Sequence, residues 1–208
     1  MDLIKNIDRP PLVRETVVID IAVLGHTNFS DDSGAANKMP GFKNWKQSDS
    51  RGTMYYYEGL VYAGGTIPEP SSDDPDGHVW DFEAEPIGTF FNRGWIIINN
   101  KSDGPYTPRA HPHLLSHADY YLGGVVGTEN LTPSDMLQSV GMENGEPPND
   151  YVRRAVTGGT GRFSSVRGEV MQKRLGRNSS GLRGMPAPPG FIPPAPNYRL
   201  TFDLWLQK

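Results

Sequence analysis

The sequence predicts an all-β fold, either an antiparallel sandwich or a closed barrel, on three observations. At least seven runs alternate in hydrophobicity or are rich in β-branched and aromatic residues. Helix signals are confined to one short stretch. Glycine and proline (24 and 19 residues) make up about a fifth of the 208-residue chain, against a usual ~12%, and so supply the turns that short strands need. The content of 36% hydrophobic and 10% aromatic residues sets the chain apart from disordered polymers.

The strands follow in order. Residues 15–24 (ETVVIDIAVL) place Val17, Ile19, Ile21 and Val23 on one face and Asp20 on the other, among Val18, Ala22 and Leu24. Further strands are expected at 52–63, 87–99, 113–123, 151–157 and 165–175. The last, 198–206, alternates most cleanly: Tyr198, Leu200, Phe202, Leu204 and Leu206 share one face. One short helix is expected at 132–141, where Thr132 suits an N-cap, Pro133 the first helical position, Asp135 a capping box and Gly141 the stop. Segments 25–50, 64–76 and 176–197 read as long loops, the last rich in Gly and Ser and then in Pro. No repeat or composition shift divides the chain, so a single domain over 1–208 is expected, with 1–11 as an N-terminal extension.

Composition excludes whole classes of function. There is no cysteine, which removes disulfides, thiolate nucleophiles, zinc–thiolate sites and iron–sulfur clusters. A formal charge of −4 gives no basic footprint for nucleic acid or an anionic membrane. No run approaches the ~20 apolar residues that span a bilayer. The opening MDLIKNIDRPPLVRE has no apolar h-region, so a cytoplasmic location is expected.

The most specific local feature is AVTGGTGRFSSVRGEV at 155–170. GGTG between two strand-like runs reads as a tight reversal, and Gly168 in the following strand as a bulge or bend. A phosphate loop is disfavoured, because no Lys-Ser/Thr and no helix follow. The stretch resembles the GGTGxFxxARG signature of dirigent proteins and the related GGxGxFxxxxG of allene oxide cyclases. GTMYYYEGLVY at 52–62, Ile87-Gly88 with Arg93-Gly94-Trp95, and HLLSHADYYLGG at 113–124 are similar to further dirigent strands. The resemblance runs in order over about residues 12–208 and is strongest at 155–170. It implies an eight-stranded antiparallel barrel around a hydrophobic cavity, commonly oligomeric. Departures are the missing signal, the longer loops at 64–76 and 176–197, and Asn92 where the second glycine of a Gly-x-x-x-Gly pattern falls. They point to a microbial member of the group, with a dimer or trimer expected.

Such barrels act on an apolar or polyunsaturated small molecule. The expected function is a cofactor-free cyclase or isomerase in natural-product biosynthesis, working by holding one folded conformer. Three acids are candidate proton-transfer groups: Glu58, matching the dirigent acidic residue and sharing a face with Tyr56; Asp20, on a strand where allene oxide cyclases carry an acid; and Asp119, on one face with His117 and Tyr121. Tyr56, Trp95, His117, Tyr121, Arg167 and Phe202 are candidate substrate contacts, Arg167 because it matches the Arg of the ARG motif. Tyr55, Tyr57, Phe90 and Phe91 read as core, which in a barrel is also cavity wall. The alternative is a non-catalytic barrel that steers a reactive intermediate made by another enzyme. A second alternative is a cupin-like metal site at His111, His113 and His117, weakened because no His follows His117 and Pro112 interrupts the strand. No cofactor or metal is expected.

Overall fold

A computed structural model describes residues 11–24, 28–30, 54–73, 79–98, 113–125, 135–144, 151–181 and 194–207. Ten strands follow one another among these residues: β1 (Leu12–Val23), β2 (Asn28–Ser30), β3 (Met54–Ala63), β4 (Val79–Trp80), β5 (Gly88–Ile98), β6 (His113–Leu122), β7 (Asp135–Asn144), β8 (Tyr151–Thr160), β9 (Arg167–Asn178) and β10 (Ala195–Gln207). Eight of them, in the order β1-β10-β9-β8-β7-β6-β5-β3, form an antiparallel sheet. It closes where Ile19–Val23 of β1 pair with Gly59–Ala63 of β3. Closure removes the unpaired edges that an open sheet would offer. It settles the choice between sandwich and barrel, and the only helix among the described residues is a 3-10 turn, Gly161–Phe163.

Strand period fixes what faces inward. The lumen takes Val17, Ile19, Ile21 and Val23 from β1, and Tyr198, Leu200, Phe202, Leu204 and Leu206 from β10. These are the faces the alternation picks out in the sequence. Phe90, Ala118, Tyr120, Leu122, Leu137, Val156 and Val170 complete the apolar part. Phe163, beneath the 3-10 turn, is fully buried and packs with this core beside Val166, so the end of the barrel that carries GGTG is filled.

The expected helix at 132–141 is corrected. Residues 135–144 are β7, paired with β6 over ten positions from Leu122↔Asp135 to His113↔Asn144. Leu137, Ser139 and Glu143 face inward and are buried, while Met136, Gln138 and Val140 alternate with them. Helix propensity differences of at most ~0.7 kcal/mol per residue are overridden by two flanking ladders. Residues 132–134 lie outside the described residues. Of the bulge or bend expected at Gly168, the bulge is absent: the residue pairs in register with Val156 and Leu204. Its missing side chain serves close approach instead, since a Cβ there would sit 2.0 Å from the Asp203 carbonyl oxygen.

The connection after β3 folds back over the outside of the barrel. Ile67, Trp80, Phe82 and Ala84 cover Ala22, Tyr62 and Leu175, with the Tyr62 and Trp80 rings edge-to-face at 4.6 Å. β9 outruns β8, and its free edge at Arg177–Asn178 takes β4 in parallel. Asp20 pins this flap. It accepts the backbone N–H of Gly65 (3.0 Å) and of Ile67 (2.8 Å), and a two-pronged bond from Arg199 (2.8 and 3.0 Å). Arg199 also donates to the Ile67 carbonyl and to Glu69.

Candidate active site

Within the apolar lumen, one carboxylate gathers donors from three other strands. Glu143 of β7 accepts on Oε2 from the Tyr55 hydroxyl (3.2 Å) and from Asn92 Nδ2 (2.7 Å), and on Oε1 from Gln172 Nε2 (3.0 Å). All four residues are buried. The cluster forms because each occupies an inward register position on its own strand. Gly94 makes the room: a Cβ there would lie 2.8 Å from the Tyr55 hydroxyl oxygen and 2.1 Å from the Leu115 carbonyl oxygen. The cluster lies toward the end at which β3, β6, β8 and β10 begin, opposite Phe163.

A buried cation stands beside it. Arg154 of β8 donates to Ser139 Oγ (3.1 Å), to Ser116 Oγ and to the carbonyls of Ser116 (3.2 Å) and Ser139 (3.4 Å). These acceptors are neutral. Tyr120 shares a hydrogen bond with the same Ser139 hydroxyl at 2.9 Å.

Tyr57 and Tyr198 also face the lumen, yet both keep part of their surface accessible. The environment holds the phenols neutral. Burial pushes the hydroxyls of Tyr55, Tyr57 and Tyr198 well above the ordinary tyrosine value, and the Glu143 charge adds to each shift. For Tyr198 the Arg174 and Arg154 charges oppose it.

Of the residues that sequence singles out, Phe202 lines the lumen, edge-to-face with Tyr120 at 5.1 Å. Most of the others gather on the outside of β3, β5 and β6. Tyr56 and Glu58 lie on the face of β3 opposite Tyr55 and Tyr57, so Glu58 does not point into the lumen. Tyr56 stacks on Phe91, which meets Tyr121 edge-on. Asp119 accepts from Arg93 (2.8 Å) and from Gln138 (2.9 Å), and His117 Nε2 lies 3.4 Å from it. Trp95 is exposed on the same outer face, and Arg167 is exposed at the start of β9. Asp20 faces outward beneath the flap.

Asp119 thus pairs with Arg93 on the outer face, beside His117. His111 and the His113 side chain lie outside the described residues. Among the described residues, no group of three or more His, Asp or Glu is arranged to hold a metal ion. No described helix is long and apolar enough to cross a membrane.

Sequence reasoning missed Glu143, Asn92, Gln172 and Arg154. One signal was available. Read with period two rather than as a helix, 135–144 puts Leu137, Ser139 and Glu143 on one face, and an acid on an otherwise buried face needs partners.

No protein-family model and no curated protein matches the chain. Solved structures do. The pterocarpan synthase dirigent protein PsPTS1 superposes with a TM-score of 0.53 at 13% identity, over 97% of this chain and 99% of that one. The pterocarpan synthase dirigent protein GePTS1 gives 0.51 at 11%, over 100% and 96%. The Diels Alderase AbmU from Streptomyces koyangensis gives 0.46 at 16%, over 93% and 69%. At these identities what is shared is the backbone architecture. The chain has the eight-stranded barrel fold of the dirigent proteins, as the segment around GGTG implied.

Proposed function

We propose that the chain is a cofactor-free cyclase or isomerase that folds an unsaturated small molecule inside the barrel and directs stereoselective ring formation. The supporting observation is the Glu143–Tyr55–Asn92–Gln172 cluster, set in an apolar lumen with the partly buried Tyr57 and Tyr198. The apolar wall selects one compact conformer of a flexible chain and removes the entropy of finding it. Neutral phenols offer O–H dipoles to charge developing on a substrate oxygen, in a site where low dielectric strengthens them. Glu143 takes a proton where the ring closure releases one and returns it to the product, so the step is redox-neutral.

The test is turnover of linear polyenes that carry an electron-poor alkene, with the products resolved by chiral chromatography. A single stereoisomer formed faster than in buffer is expected. Selectivity that appears only when an oxidising enzyme supplies a reactive intermediate would make the chain a steering barrel instead. Acceleration and selectivity absent under both conditions would overturn the proposal.

A further inference from the structure

The lumen site has an acceptor that the described protein groups do not fill. Asn92 is 1% exposed, and its Oδ1 is buried with no donor in reach among the described residues. The orientation of the amide is fixed. Its Nδ2 is the atom that faces Glu143 Oε2 at 2.7 Å, and turning the amide over would set two oxygens against each other. A buried acceptor left alone is destabilising, so a ligand that supplies a donor recovers that cost.

A second acceptor lies close by. Glu143 Oε1 accepts from Gln172 among the described residues, whereas a carboxylate oxygen has room for about two donors. Asn92 pairs across the sheet with Tyr57, a lumen tyrosine that is only partly buried.

We infer that the molecule held in the lumen is an unsaturated compound carrying a hydroxyl whose O–H donates to Asn92 Oδ1 beside the Glu143 carboxylate. This rests on the reading of the lumen as a small-molecule site and adds the polar group the guest must bring. A compound whose oxygens are all ketones, esters or ethers offers no donor and leaves the acceptor bare.

Three probes of one shape test this: 2-naphthol, 2-methoxynaphthalene and naphthalene. Binding is measured by nuclear magnetic resonance on isotope-labelled wild-type protein, reading the Asn92 side-chain amide and the Tyr57 ring. The expected result is that 2-naphthol binds about tenfold more tightly than its methyl ether and shifts the Asn92 amide. In Asn92→Leu that preference should fall below about twofold while naphthalene still binds. If the leucine variant does not fold, the wild-type comparison decides alone. Equal binding of all three probes in the lumen would overturn the hydroxyl inference and leave the small-molecule reading standing, the acceptor then being served by water only. Failure of all three to perturb Tyr57 would overturn both.

Discussion

Asn92 Nδ2 donates to Glu143 Oε2 at 2.7 Å and so links β5 to β7 behind the intervening β6. The contact makes the lumen carboxylate a structural hub as well as a chemical one. Glu143→Leu strands the Tyr55 hydroxyl and the Asn92 and Gln172 amides without an acceptor. It should cost about 3 kcal/mol or more. Glu143→Gln keeps the shape and one acceptor, and should cost about 1–2 kcal/mol. Urea unfolding of the two variants beside the wild type measures the difference.

The lumen tyrosines set an alkaline limit. Burial raises the pKa of Tyr55, Tyr57 and Tyr198 above the ordinary 10.0, and that of Tyr62, on the outer side, to about 12. Above pH ~10 the unfolded chain loses phenolic protons that the folded chain retains, so stability falls as pH rises. These groups contribute fully below that pH. The expected outcome is tyrosinate absorbance that appears late and together with unfolding, followed by alkaline titration with circular dichroism. Lumen tyrosines that ionise near pH 10 in a folded barrel would contradict it.

Asp20 is held by Arg199 and by two backbone N–H groups of the flap, with no exposure of its own. Asp20→Asn leaves the guanidinium without its carboxylate and should destabilise by on the order of 3 kcal/mol. Proteolysis should then begin within 64–73, while the rate of any ring closure per folded molecule stays unchanged. Thermal melts, mapped cleavage and active-site-normalised turnover check this together.

Gly94→Ala places a methyl group against the Leu115 carbonyl and beside the Tyr55 hydroxyl. The backbone clash should cost about 2 kcal/mol or more. The same methyl moves Tyr55 off Glu143, so the variant should also bind 2-naphthol differently. Melting temperature and the Tyr55 ring resonances report the two effects separately.

The barrel was largely legible because period two survives where one face is wholly apolar. In β10, five inward residues from Tyr198 to Leu206 are apolar or aromatic, and the odd face of β1 is equally uniform. β7 was not legible. Met136, Leu137 and Gln138 are good helix formers behind a proline, and the pattern that decides the matter is a buried serine and glutamate, which resemble surface residues when read alone. The site was hidden for two further reasons. β3 carries tyrosines on both faces, Tyr55 and Tyr57 inward and Tyr56 outward, so the sequence does not reveal which side of Glu58 is wet. The partners of Glu143 are also 88, 51 and 29 positions away in the chain, and closure of the sheet brings them together. The acids that sequence favoured, Glu58, Asp20 and Asp119, share strands with the lumen residues but occupy the opposite parity.

The most direct test sets Glu143→Gln against Glu58→Gln on one cyclising substrate, both variants folded by circular dichroism. The lumen account expects kcat to fall about a hundredfold or more in Glu143→Gln, and to stay within about twofold of wild type in Glu58→Gln. The reverse pattern, with Glu58 required and Glu143 dispensable, would contradict it and move the chemistry to the outer face.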